Sequence, residues 1–178
     1  SMILYGKPGI GKSSIAYSIA NEIGGNIRYL NATINNKKDF DIVVEEAKMY
    51  KGIILIMDEI HRLNKDKQDL LLPYLENGLI TVIGMTTSNP YHSINPAIRS
   101  RCQIFELKPL NNDDIKLGIK RAVESNLLEC INIDEDTINY IVKLSNGDLR
   151  YAYNLLEISF YTSPDKNVTI DVVKEINN

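Results

Sequence analysis

Apolar and polar positions alternate in two rhythms along the first hundred residues. Short apolar runs predict buried strands at Met2 to Tyr5, Ile27 to Leu30, Ile53 to Met57, Leu79 to Met85 and Ile104 to Leu107. Between them, apolar residues recur at helical spacing. Ile15, Ala16, Ile19, Ala20 and Ile23 mark a helix over Lys12 to Ile23, stopped by Gly24-Gly25. Phe40, Val43, Val44 and Ala47 mark a second over Lys37 to Tyr50. Lys65 to Glu76 reads as a third, in which Pro73 is expected to cause a kink or a split because proline lacks a backbone donor. Asn95 to Arg101 reads as a short helix with Pro96 in its first turn, where proline is tolerated. The run Ile53 to Met57 is apolar throughout, as a strand covered by helices on both faces should be. Strands alternating with helices predict an α/β fold, a doubly wound parallel sheet.

The rhythm changes at Pro109. From Asn112 onward the pattern predicts helices only. One buries Ile115, Ile119, Ala122 and Val123. A second is capped by Asp134 and buries Ile138, Ile141 and Val142. A third buries Leu149, Ala152, Tyr153, Leu156 and Phe160, and a short last one begins at Thr169. The expected organisation is an α/β core over residues 1–108 and a small helical domain over residues 109–178, with the boundary near Lys108 to Asn111.

Composition changes this picture little. The formal charge of −3 gives no basic footprint and no argument for bulk-charge binding to nucleic acid. Cys102 and Cys130 lie far apart and match no metal-ligand spacing, which suggests a reducing, cytoplasmic setting. No apolar run approaches a membrane-spanning length. In that compartment the Asn31-Ala32-Thr33 and Asn167-Val168-Thr169 sequons carry no meaning. Ser1-Met2 runs straight into a core strand, so the start reads as a truncation with a short cloning remnant.

Candidate chemistry changes it more. Gly6-Lys7-Pro8-Gly9-Ile10-Gly11-Lys12-Ser13 fits G-x-x-x-x-G-K-[ST] at every fixed position, between a strand and an amphipathic helix. Glycines let successive backbone N–H groups turn toward phosphate oxygens, and the following helix offers its N-terminus. Gly6 through Ser14 is therefore the expected ATP-binding segment. Lys12 is expected to reach the β- and γ-phosphates, and Ser13 to ligate Mg2+. The strand Ile53 to Met57 ends in Asp58-Glu59, which places two carboxylates at the sheet edge where ligands bind. Asp58 is expected to hold Mg2+ directly or through its water, and Glu59 to polarise the attacking water. His61 and Arg62 follow closely and take no assigned chemical role.

These segments, with Met57 to Lys65, Gln68 to Pro73, Ile83 to Pro90, Ile98 to Cys102 and Gly147-Asp148-Leu149-Arg150, resemble the AAA+ ATPases of the RarA/MgsA group, bacterial relatives of the Werner-interacting ATPase. The resemblance implies the P-loop AAA+ fold with a C-terminal helical lid. It also implies Thr87 as sensor 1, with Thr86 or Asn89 as alternatives. Arg101 would be an arginine finger acting on a neighbouring subunit, with Arg99 a weaker candidate. Arg150 would be sensor 2. Lys12, Glu59, Thr87, Arg101 and Arg150 form the implied catalytic set. The loop reads Gly-Lys-Pro-Gly where Gly-Pro-Pro-Gly is usual for the group, and Ser13 stands where threonine is usual.

The resemblance further implies ATP hydrolysis at stalled replication forks. The implied partners are DNA forks, ends or junctions, single-stranded-DNA-binding protein, and further copies in a homo-oligomer. The implied setting is the cytoplasm, at the nucleoid, with no membrane partner. In the group, a segment before the first strand encloses adenine and a region after the lid mediates tetramer formation. This span carries neither and is expected to be monomeric. The alternatives are a clamp-loader or Holliday-junction motor subunit, and a switch that binds ATP without turnover.

Overall fold

The computed structural model describes residues 1–125 and 127–177, the side chain of Lys65 apart. The chain divides into two compact units, Ser1–Lys7 with Gly11–Leu107, and Pro8–Ile10 with Lys108–Asn178.

The first unit is a doubly wound α/β sandwich. Its elements run β1 (Met2–Tyr5), α1 (Lys12–Ile23), β2 (Ile27–Asn31), α2 (Lys37–Tyr50), β3 (Ile53–Asp58), α3 (Lys65–Glu76), β4 (Ile80–Thr86), α4 (Pro90–Ser93), α5 (Pro96–Arg99) and β5 (Gln103–Glu106). The five strands pair in parallel in the order β2-β3-β4-β1-β5. Strand β3 shows why the sheet is covered twice. Ile53, Leu55 and Met57 join Phe40, Val43, Val44 and Ala47 of α2 and Leu71 of α3 in one core. Ile54 and Ile56 point the other way and meet Ala16 and Ala20 of α1. Each large side chain so buried stabilises the fold by about 1.5–3 kcal/mol.

Local chemistry sets the helix ends. Asn36 and Asp39 form a reciprocal capping box on α2, with Lys38 N–H donating to Asn36 Oδ1 at 2.8 Å and Asn36 N–H to Asp39 Oδ2 at 2.7 Å. Helix α1 stops at Gly24, whose N–H donates to Ala20. Three expectations are corrected. Ile15 and Ile23 are exposed, so α1 buries only the narrow stripe of Ala16 and Ala20, flanked by half-buried Ile19. Pro73 does not split α3, because burial of Leu71 and the packing of Leu70, Leu72 and Leu75 outweigh one lost donor. Helix α4 is an element the periodicity did not show. Its signal is the Asn89-Pro90 pair, in which Asn89 Oδ1 accepts from Tyr91 N–H at 3.0 Å and Pro90 fills the first turn.

The second unit contains α6 (Asn112–Glu124), β6 (Asn132–Ile133), α7 (Glu135–Ser145), α8 (Leu149–Thr162), β7 (Asn167–Val168) and α9 (Ile170–Ile176). Its core gathers Ile115, Ile119, Ile138, Ile141, Val142, Ala152, Leu156, Phe160 and Val173. The expectation of helices alone is corrected by β6 and β7, which pair in parallel as Asn132↔Asn167 and Ile133↔Val168. Two residues are too short a run to show a period of two in the sequence. Tyr153 stays exposed, while Ala122, Val123 and Leu149 are half-buried around the core.

Candidate functional site

Sheet register assembles the site. Tyr5 of β1 pairs with Thr86 of β4, Met57 of β3 with Gly84 of β4, and Asn31 of β2 with Asp58 of β3. The parallel strands thus end together, and the loops leaving them share one edge. Gly6 N–H donates to the Thr86 carbonyl at 3.3 Å, which ties the start of the glycine-rich loop to the end of β4.

Gly11 carries the chain into α1 with φ 93° and ψ 15°, a left-handed conformation that glycine adopts without a steric penalty. Helix α1 has no side-chain cap and no acidic residue in its first turn. All other α-helices among the described residues are capped by an Asn, Asp or Thr side chain. The first-turn N–H groups, with Ser13 and Ser14 among their residues, therefore form a donor cluster with partial positive charge. Lys12 adds a full charge. Its Nζ donates to the carbonyls of Gly6 at 2.9 Å and Lys7 at 2.7 Å, so the ammonium lies against the loop.

At the end of β3, both oxygens of Asp58 are oriented. Oδ1 accepts from Glu59 N–H at 2.9 Å, and Oδ2 accepts from the Tyr29 hydroxyl at 3.1 Å. Burial, then the Asp58 charge, holds the Tyr29 phenol above its ordinary pKa, so the phenol stays a donor at neutral pH. Glu59 adopts φ 50°, an uncommon left-handed conformation for a residue with a side chain, and leads into a 3₁₀ turn at Ile60–Arg62. Its Oε2 is buried without a hydrogen bond. His61 Nδ1 lies 3.2 Å from that oxygen, an ion-pair distance only when the imidazole is protonated. The same Nδ1 is 2.8 Å from Thr86 Oγ1, which accepts from Ser88 N–H at 3.0 Å.

The sequence-derived candidates fall into distinct settings. Within the first unit, Lys12, Ser13, Asp58, Glu59 and Thr86 sit at or just beyond the ends of β1, β3 and β4. Thr87 lies one residue past β4 and is exposed, whereas Thr86 is buried at the strand end, and Asn89 is committed to capping α4. Arg101 pairs with Glu76 and donates to the Ala97 carbonyl at 2.7 Å. Arg99 holds the Tyr91 carbonyl at 2.6 Å and lies over the Tyr91 ring. Pro8, Gly9 and Ile10 belong to the second unit. So does Arg150, exposed in the first turn of α8. Tyr29 and His61 are the participants that sequence reasoning left without a role. The signal for Tyr29 was its position two residues before the strand partner of Asp58, which needs the register to be read.

The donor set fits a nucleotide with a divalent cation. Among the described residues no three His, Cys, Asp or Glu side chains cluster to hold a metal. A serine hydroxyl and one carboxylate suit Mg2+, which keeps waters and takes phosphate oxygens for the rest of its shell.

Residues 2–110 match the model of the ATPase family associated with various cellular activities (AAA). The chain belongs to the AAA family. Among curated AAA relatives, replication-associated recombination protein A of Bacillus subtilis (strain 168) is 50% identical, with 98% of this chain and 44% of that protein covered. ATPase WRNIP1 of Dictyostelium discoideum is 36% identical over 98% of this chain and 21% of its own length. The chain thus spans less than half the length of either protein. Among solved structures, the Thermotoga maritima RuvB Holliday junction branch migration motor superposes with a TM-score of 0.80 at 29% identity, over 98% of this chain and 59% of that one. This AAA chain therefore carries the α/β P-loop fold together with its small helical unit.

Proposed function

We propose that the chain is an ATPase module that binds ATP with Mg2+ and hydrolyses the β–γ bond by in-line attack of water. The observation that carries this reading is the uncapped, acid-free N-terminus of α1, which follows a complete phosphate-loop motif in a chain whose other described α-helices carry side-chain caps. The backbone N–H groups of Gly6 through Ser14 cradle the phosphates. Lys12 leaves the Gly6 and Lys7 carbonyls for the β- and γ-phosphates. Ser13 and Asp58 hold Mg2+, which neutralises charge on the phosphate oxygens when bound. Glu59 orients the water. Thr87 or Thr86 serves as sensor 1, and the contact of Thr86 with His61 favours Thr86. Arg101 acts on the site of a neighbouring copy, and Arg150 serves as sensor 2 from a helical lid.

The relatives' names support a role in DNA replication and recombination, and the resemblance of the motifs to the RarA/MgsA group extends that reading. The whole protein works in DNA replication and recombination in the cytoplasm, at the nucleoid. It acts on forks, ends or junctions as a homo-oligomer and meets single-stranded-DNA-binding protein at stalled forks. No helix among the described residues is long and apolar enough to cross a membrane.

The test is ATP binding and phosphate release by the chain and by Lys12→Ala, with and without Mg2+ and forked DNA. Binding and turnover that are lost together in Lys12→Ala support the module. Equal ATP affinity in the two proteins would overturn it. Binding without turnover, restored neither by DNA nor by the full-length protein, would favour a nucleotide switch.

A further inference from the structure

Parallel register puts Tyr29 beside Asp58. Tyr29 pairs with Ile56, and Asp58 lies two residues beyond Ile56 on the same face of β3. Diagonal neighbours of this kind are within reach of a long side chain. That face is the one α1 covers, since Ile27, Ile54, Ile56, Ala16 and Ala20 share one core. Tyr17 of α1 stacks on the Tyr29 ring at 6.0 Å with 14° between planes. The phenol is therefore held at its ring by the helix that follows the phosphate loop and at its hydroxyl by Asp58 Oδ2 at 3.1 Å.

A carboxylate at a strand end has two free torsions, and a metal ligand works best when both are fixed. Glu59 N–H takes one lone pair of Oδ1, and Tyr29 takes one of Oδ2. The remaining lone pairs stay available to a cation. We propose that Tyr29 is a positioning residue for magnesium: its hydroxyl fixes the Asp58 carboxylate in the orientation that receives the ion, and the Tyr17 stack fixes Tyr29. This rests on the reading of Asp58 as the magnesium-side carboxylate.

The experiment titrates Mn2+, followed by electron paramagnetic resonance, into the chain saturated with the non-hydrolysable analogue AMP-PNP. Tyr29→Phe keeps the ring and its stack and removes only the hydroxyl. The expected result is a loss of Mn2+ affinity on the order of 10-fold, with AMP-PNP affinity in EDTA unchanged. Asp58→Asn loses at least as much, and the double variant loses no more than Asp58→Asn alone. Unchanged Mn2+ affinity in Tyr29→Phe overturns the proposal, and so do additive losses in the double variant. Mn2+ affinity that survives Asp58→Asn overturns the reading of Asp58 itself, and the role of Tyr29 with it.

Discussion

His61 Nδ1 lies 2.8 Å from Thr86 Oγ1, joining the turn after β3 to the end of β4. The Thr86 hydroxyl also accepts from Ser88 N–H, and Nδ1 accepts from that hydroxyl in one imidazole tautomer and donates to it in the other. The same ring nitrogen lies 3.2 Å from the buried Glu59 Oε2. One imidazole thus contacts both the group proposed to orient water and the better placed sensor candidate.

His61→Ala is therefore expected to lower kcat for ATP by about tenfold, equivalent to about 1.4 kcal/mol, with ATP affinity within about twofold of the parent. Steady-state phosphate release and equilibrium nucleotide binding separate the two effects. An unchanged kcat would reduce His61 to a packing residue.

Gly84 sits in β4 beneath the same turn. A Cβ there would lie 2.8 Å from Ile60 Cδ1 and 3.3 Å from Ile60 Cγ2. Ile60 is buried and follows Glu59 directly, so Gly84→Ala should displace the turn and cost about 1–3 kcal/mol of stability. Turnover should fall more than nucleotide affinity. Ile60→Val removes the nearer methyl, so the double variant should recover part of both losses. Thermal melting and phosphate release check this, and the prediction fails if Ile60→Val makes the Gly84→Ala protein worse.

Arg101 is occupied within its own chain by Glu76 and the Ala97 carbonyl. If it acts on a neighbour's ATP, Arg101→Ala should change turnover of this chain by less than about twofold and that of the assembled full-length protein by at least about 10³-fold. Matched assays on the two forms decide it. Equal losses would place the role of Arg101 within its own chain.

Glu135 at the start of α7 receives Lys116 at 2.6 Å and Lys120 at 3.1 Å from α6. Hydrogen bonds from these two lysines, Lys116 first, hold its carboxyl below the ordinary pKa. A depressed folded pKa contributes stability that is present above the ordinary carboxylate range and is lost as the pH falls through it. Glu135→Gln should therefore flatten the acid limb of the melting curve between about pH 5 and about pH 3. An acid limb identical to that of the parent would show that the pair contributes nothing.

The chain's own pattern determined most of its elements and the position of its candidate phosphate loop. Apolar residues at period two or 3.6 must find a covered face, so Ile53 to Met57 and Phe40, Val43, Val44 and Ala47 declared their roles without any partner in view. The glycine-rich loop was legible for a similar reason: its chemistry is local, a turn and the helix end that follows it. Pro73 did not split its helix, and the two-residue strands stayed hidden, because these outcomes depended on burial supplied by distant residues. The contacts of Tyr29 with Asp58 and of His61 with Thr86 span 29 and 25 residues. Only strand register and order create them, because no local periodicity records which strand becomes a neighbour. The same sheet decided that Thr86 is buried while Thr87 is exposed, since both faces of the strand are covered and the strand stops between them.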